Sequence, residues 1–291
     1  MPKTLRKLQL LQLEILRDID LVCRENDITY YLTYGTLLGA VRHGGFIPWD
    51  DDVDIAMYRD DYDRFFHVMS KYNPDKYFVQ NFETDPQYSR YILKVRLNGT
   101  QQIEREVSTR DMHHGVFVDV FPLDDVSKKE GLELVFRGIV LKYLALCQRF
   151  SVQDHFRYSG NAKKKPFAYL IYLSSKLISS RKINRLYNYY CTKSNGKSAP
   201  YRTSFSSGGY TWKREIVPHE VYGKGTRLKF EGSYFNAPSD WHRLLTAIYG
   251  DYRTPPPEDA RKGHDLTQID FGIYDEILNS KIMEEEAFDL K

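Results

Sequence analysis

Apolar residues recur at Leu5, Leu8, Leu11, Ile15, Ile19 and Val22, the spacing of an amphipathic helix that lays one stripe on a core. Ile28 to Thr33 then reads as a short strand, Tyr34-Gly35-Thr36 as a turn, and Leu37 to Arg42 as a helix ended by Gly44-Gly45. In Asp52-Val53-Asp54-Ile55-Ala56-Met57 the period becomes two, so that Val53, Ile55 and Met57 share one strand face and Asp52 and Asp54 the other. Asp60 to Lys71 predicts a helix, and Tyr77 to Gln80 and Tyr91 to Leu97 predict strands. Another strand covers Val116 to Phe121, with Pro122 expected to end it. Lys129 to Phe150 predicts a long helix, Lys165 to Cys191 one or two more, and Trp241, Leu244, Leu245 and Ile248 the packed face of a last one. The pattern is α/β: a mixed sheet core with flanking helices and a mainly helical middle insertion.

The strand acids carry the chemistry. Two carboxylates on one face of an otherwise apolar strand are costly to bury unpaired, and Mg²⁺ is the natural counter-ion because it prefers carboxylate oxygens and substrate phosphates. Asp52 and Asp54 are therefore candidate metal ligands, with a solvated turn as the plainer alternative. Asp50 and Asp51 follow Pro48 and fit a turn in which Asp caps the backbone, and Asp50 is counted with the metal-binding candidates. Asp119 alternates with Val118 and Val120 and reads as a third metal ligand or a general base; the alternative is a buried Asp tied to a turn or an arginine.

Arg42 and His43 precede Gly44-Gly45, whose backbone N–H groups offer an anion-binding nest, and the Gly35-Thr36 turn offers a second place for phosphate. Lys94 and Arg96 share one strand face and are candidate phosphate ligands, or else ordinary surface cations. Trp49 beside the acids either stacks on a base or a quaternary ammonium or packs into the core. His113 and His114 are read as orienting residues, since a hard phosphate–Mg²⁺ site has no need of imidazole.

Three blocks make the resemblance specific. Gly35-Thr36-Leu37-Leu38-Gly39 followed by Arg42-His43-Gly44-Gly45-Phe46-Ile47-Pro48-Trp49-Asp50-Asp51-Asp52-Val53-Asp54 resembles the LicD family, related to fukutin and fukutin-related protein. Gly115-Val116-Phe117-Val118-Asp119-Val120-Phe121-Pro122-Leu123-Asp124 and Tyr249-Gly250-Asp251-Tyr252 with Pro255-Pro256-Pro257 are similar to that family's later blocks. The resemblance implies a nucleotidyltransferase-like core at 1–125 and a C-terminal region at 201–291 that completes the cleft; between them the hydrophobic pattern reads as a helical acceptor-binding or membrane-proximal region at 126–200, where Cys147 to Thr226 show little similarity to the family. It also implies transfer of phosphocholine from CDP-choline to a teichoic-acid or other cell-surface glycan hydroxyl, with release of CMP. One or two Mg²⁺ ions, replaceable by Mn²⁺, would sit on Asp52 and Asp54, with Asp119 as second ligand or base. The acceptor is a glycan or lipid-linked glycan. Glycerol- or ribitol-phosphate transfer, true nucleotidyl transfer, and a non-catalytic binding role are the alternatives. For a choline head group, Trp49 or the Tyr210-Thr211-Trp212 segment would supply the aromatic face.

Charge and composition narrow the setting. A net charge of +3 over 291 residues shows none of the concentrated basicity expected of a nucleic-acid binder, so no nucleic-acid partner is expected. Cys23, Cys147 and Cys191 are scattered, without a metal or redox pair, which fits a reducing cytoplasm. The first residues lack the apolar run of a signal peptide, and the most apolar stretch, Phe167 to Ile178, is too short to span a bilayer. That stretch, between Lys163-Lys164-Lys165 and Arg181-Lys182, reads as domain core or as a helix resting on a membrane surface at the inner face of the membrane.

Overall fold

The computed structural model describes residues 2–153, 156, 162–196, 198–206 and 213–289. Helix α1 (Lys3–Glu25) turns its apolar stripe inward, burying Leu8, Leu11, Ile15 and Ile19. β1 (Tyr30–Leu32), α2 (Tyr34–His43), β2 (Asp54–Tyr58), α3 (Arg59–Met69), β3 (Tyr77–Gln80), β4 (Leu93–Leu97), β5 (Gln101–Glu104) and β6 (Phe117–Val126) follow. The main sheet runs β1-β2-β6-β4-β3, and only the central pair, β2 with β6, is parallel. The α/β expectation holds in this mixed sheet with its flanking helices.

Two of the strand boundaries that differ from the sequence reading bear on the site. Asp52 lies ahead of β2 rather than within it. β6 continues through Pro122 instead of ending there. Asp119 N–H donates to Val53 O, so in the alternating ladder the Pro122 nitrogen faces away from β2. β4 has left β6 beyond Val120 on that side, and β7 (Tyr201–Thr203) joins only at Asp124. The missing N–H therefore forfeits no ladder bond.

Helices α4 (Leu132–Ser151), α5 (Lys165–Lys176) and α6 (Ser180–Thr192) form a second core around Leu141, Leu144, Cys147, Ile171, Ile183 and Tyr187. Only one side of α5 is core: Ala168, Ile171 and Ser175 are buried, whereas Phe167, Tyr169, Leu170, Leu173 and Leu177 are exposed. The chain then returns to the first core through β7, β8 (Val217–Pro218), α7 (His219–Tyr222), the hairpin of β9 (Thr226–Phe230) and β10 (Ser233–Ala237), and α8 (Trp241–Tyr249). Leu244, Leu245 and Ile248 are the buried face of α8, as their spacing predicts. β11 (Leu266–Asp270) pairs antiparallel with β5, and α9 (Asp275–Asp289) ends the fold against α1. Among the described residues, no helix is long and apolar enough to cross a membrane.

Candidate active site

The acids converge where the two parallel strands begin. Asp54 and Asp119 are register partners across β2 and β6, so their side chains leave one face of the sheet about 5 Å apart at the backbone. Asp54 is fixed through its main chain: its N–H donates to Thr36 Oγ1 (2.8 Å) and its carbonyl accepts from Thr33 N–H (3.1 Å). Between those two threonines, Tyr34 adopts φ +43°, a left-handed conformation uncommon for an aromatic residue. Its hydroxyl donates to Glu215 (2.8 Å) and its ring packs edge-on against Phe121, holding in place what is the first turn of α2 rather than a separate turn ahead of it. Gly35 is required next: a Cβ there would lie 2.5 Å from Asp50 Oδ2, so the turn and the Asp50 carboxylate are in close approach.

The loop carrying Asp50 and Asp51 is suspended by buried amides. Gln9 Nε2 donates to the Asp50 carbonyl (2.9 Å), and Gln12 and Gln102 both donate to the Asp51 carbonyl (2.8 and 3.0 Å). Gln9 and Gln12 lie within the mainly apolar stripe of α1, a sequence signal that this helix positions the acid loop as well as packing beneath it.

Burial and mutual repulsion dominate the electrostatics. Desolvation, with Asp52 and Asp51 nearby, pushes the Asp50 carboxyl well above its ordinary range, and desolvation with Asp52, Asp119 and Asp50 does the same to Asp54. Asp52 rises to about 6, through burial opposed by His264 and assisted by Asp119 and Asp51. His264 arrives from just before β11. Its N–H donates to Asp51 Oδ2 (2.8 Å), and its ring Nδ1 lies 2.7 Å from Asp51 Oδ1 and 3.6 Å from Asp52 Oδ2. The Asp51 hydrogen bond raises His264 to about 9, so near neutrality it is a cation rather than a neutral metal ligand.

Ligand geometry separates these acids. Among the described residues, the ligand group that closes within 4.8 Å is Asp51, Asp52 and His264, and Asp54 and Asp119 are not part of it. Both Asp51 oxygens are taken up by His264, which makes that pair a strap on the C-terminal segment. Asp50, Asp52, Asp54 and Asp119 are left as the acids facing the site. Their hard oxygen donors fit a Mg²⁺-type ion.

The candidate phosphate ligands fare differently. Lys94 is buried, with Nζ 2.7 Å from Asp119 Oδ1, 3.7 Å from Glu104 and above the Phe117 ring. Burial pulls its ammonium down against the pull of both carboxylates. It is the ion-pair partner that Asp119 needed, neither a surface cation nor a free phosphate ligand. Burial alone would raise Glu104, but Lys94, Arg90 and His264 outweigh it and hold the carboxyl at about 2. Arg96 is buried and donates to Gln80 (2.6 Å) and the Gly115 carbonyl (2.6 Å), which removes it from the phosphate set. Arg42 donates to the Tyr252 carbonyl (3.0 Å), joining the first sequence block to the third.

The Gly44-Gly45 nest already has an anion beside it. A Cβ at Gly45 would lie 2.3 Å from Glu231 Oε1, and that oxygen accepts from Phe46 N–H (3.1 Å). Trp49 is half-buried, with His43 edge-on and the Arg261 guanidinium 5.1 Å above its ring. His113 accepts from Gly115 N–H and pairs through Nε2 with Asn98, and burial beside Arg96 lowers it to about 4; His114 pairs with the Arg110 carbonyl. Both imidazoles shape the loop before β6. The Tyr210-Thr211-Trp212 segment lies outside the described residues.

The fold and site define a mixed α/β protein centred on a buried, cation-deficient carboxylate cluster. Residues 27–136, which contain all of these acids, match the family described as LicD/FKTN/FKRP, nucleotidyltransferase domain. The chain is 32% identical over 268 residues to the lipopolysaccharide cholinephosphotransferase LicD of Haemophilus influenzae, covering 91% of this chain and 97% of the relative. It belongs to the LicD family. An uncharacterized protein of Rickettsia typhi is 35% identical over 68 residues, 23% of this chain and 22% of that one. Human ribitol 5-phosphate transferase FKRP is 56% identical over 34 residues, 12% of this chain and 7% of that protein.

Proposed function

We propose that the chain is a phosphotransferase that moves phosphocholine from CDP-choline to a hydroxyl of a cell-surface glycan precursor, such as a teichoic-acid repeat, and releases CMP. The observation that carries this reading is the excess of buried carboxylate. Asp50, Asp52 and Asp54 all sit above their ordinary range, while Lys94 and His264, the cations among them, are already engaged by Asp119, Glu104 and Asp51. Such a cluster calls for a hard divalent cation and a polyanionic substrate, Mg²⁺ in one or two copies or Mn²⁺ in its place. When bound, the ion neutralises the donor diphosphate and the charge developing on CMP. Asp52 and Asp54 would hold it, with Asp50 beside them.

The chain's own residues set the geometry. Thr33 and Thr36 fix the Asp54 main chain, the Tyr34-Gly35 turn approaches Asp50 closely, and Asp119 would take the proton of the acceptor hydroxyl. The acceptor oxygen bonds to the distal phosphorus as the bond to CMP breaks, in line and without a protein-bound intermediate. The cholinephosphotransferase name of the Haemophilus influenzae relative, matched over 97% of its length, supports choline. The short match to a ribitol 5-phosphate transferase keeps a polyol phosphate as the second reading. The buried free thiols of Cys23, Cys147 and Cys191 support a cytoplasmic location.

The test is a panel of CDP-choline, CDP-glycerol and CDP-ribitol incubated with the protein, Mg²⁺ and a membrane glycan fraction. CMP release with CDP-choline is expected, and it should stop with EDTA. Release of pyrophosphate from a nucleoside triphosphate instead would identify a nucleotidyltransferase, and turnover of the polyol donors alone would move the chain to polyol-phosphate transfer.

A further inference from the structure

Among the described residues, nothing covers the outer face of the second core. On α5 the exposed residues Tyr169, Leu170, Leu173 and Leu177 fall on the side opposite buried Ala168, Ile171 and Ser175, with exposures from 45% at Leu173 to 87% at Leu177. Phe167 extends this side at 67% exposure. α4 behaves in the same way: Leu134, Arg137, Gly138 and Leu141 face the core, while Leu132, Phe136 and Ile139 point outward and are 90%, 57% and 63% exposed. α5 packs on α4, tied by Tyr143 to Ser174 (2.9 Å), so the two apolar faces belong to one packed pair.

Charge says what this face meets. Residues 126–200 carry fifteen Lys and Arg against three Asp and Glu, a formal +12 within a chain whose total is +3, so the rest of the molecule carries −9. Lys164 and Lys165 at one end of α5, and Arg181 and Lys182 beyond the other, are exposed. Aromatic and leucine side chains on an outward helix face, bracketed by cations, match an anionic lipid headgroup layer. Two copies of a +12 region meeting face to face would repel, which disfavours self-association through it. The acidic remainder would be turned away from an anionic surface, which fixes the orientation.

We propose that the outer face of α5, with its flanking lysines and arginines, docks the protein peripherally on an anionic bilayer. This goes beyond the transferase reading and does not depend on it. Docking would hold the acid cluster near acceptors that are themselves membrane-bound.

The experiment is co-sedimentation of the full chain with phosphatidylcholine vesicles, with and without about one-third phosphatidylglycerol. Strong partitioning to the anionic vesicles is expected, weakening as salt is raised. Leu170→Ser/Leu173→Ser/Leu177→Ser should lower the partition coefficient at least about tenfold, because all three side chains are exposed and would enter the interface. Lys164→Gln/Lys165→Gln/Arg181→Gln/Lys182→Gln should remove the preference for phosphatidylglycerol. Lys71→Gln/Lys229→Gln, exposed on the other body of the molecule, should change neither. Unchanged melting temperatures would confirm that the variants fold. Absence of vesicle binding, or binding undiminished in folded variants, would overturn the proposal. So would a wild-type dimer that the leucine variant converts to monomer without affecting vesicle binding.

Discussion

Asp52 is half-buried among like charges, and its ionisation works against the fold. Its carboxyl rises from 3.8 in the unfolded chain to about 6 in the folded one. A raised acid contributes stability that is fully present below the unfolded value and lost as pH rises through the folded one. In metal-free protein, Asp52→Asn should therefore gain melting temperature over wild type as pH rises from 5 to 8, by roughly 2–4 °C at the upper end, while turnover falls on the order of 10²-fold. Thermal scans in EDTA across that range check it, and a variant less stable than wild type at pH 8 would show Asp52 to be a net stabiliser. Asp119 is ion-paired with Lys94 (2.7 Å). Asp119→Asn leaves Lys94 with Glu104 alone, at 3.7 Å, and should lose both stability and about 10²-fold or more in turnover. Adding Lys94→Met should restore the melting temperature and leave the activity low. Recovery of both would make Asp119 purely structural.

At the scale of elements, the Gly44-Gly45 loop carries two readings that one variant separates. As a phosphate nest, it needs its N–H groups free for substrate. In the fold it is instead packed on the β9–β10 hairpin, with Glu231 against Gly45 and Arg6 2.8 Å behind Glu231. Gly45→Ala should cost about 1–3 kcal/mol by overpacking. In the Gly45→Ala/Glu231→Ser double variant, the clash is relieved, and activity should return towards that of Glu231→Ser alone. Activity that stays lost in the double variant while stability recovers would favour the nest. The β5–β11 ribbon works at the same scale: pairing Leu266 with Glu104 brings His264 to acids 213 residues earlier in the chain.

Across the whole molecule, β6 links the two cores, with Leu123 in the first and Val126 in the second. The joint is a buried ion pair. Arg59 at the head of α3 forks onto Asp124 (2.9 and 2.7 Å), and Asn195, just past α6, donates to Asp124 (3.0 Å) and accepts from Asp125 N–H (2.8 Å). Asp124→Asn strands a buried guanidinium and should cost about 3–5 kcal/mol, read by denaturant unfolding. Asn195→Ala removes only the tie from the helical side and should cost about 1–2 kcal/mol. Equal losses in the two would place the strain elsewhere.

What the sequence determined by itself is local and periodic. The two-residue alternation at Asp54 and Asp119, the apolar stripe of α1 and the packed face of α8 follow from which side of an element a residue must occupy, and that depends on neighbours within a few positions. The acids were legible because a carboxylate in an apolar strand is anomalous wherever that strand packs. The tertiary structure decided which partner each charge received. Lys94 and Arg96 share a face, as the alternation requires, but only the β4–β6 register shows that the face is interior and that Lys94 is taken by Asp119. Pro122 continues its strand because β4 stops short of it. Gln12, Glu231 and His264 reach the site from distant elements, and no local pattern records such contacts: long-range pairing is selected by the summed burial of a whole core, and electrostatic partners are fixed only once that core has formed.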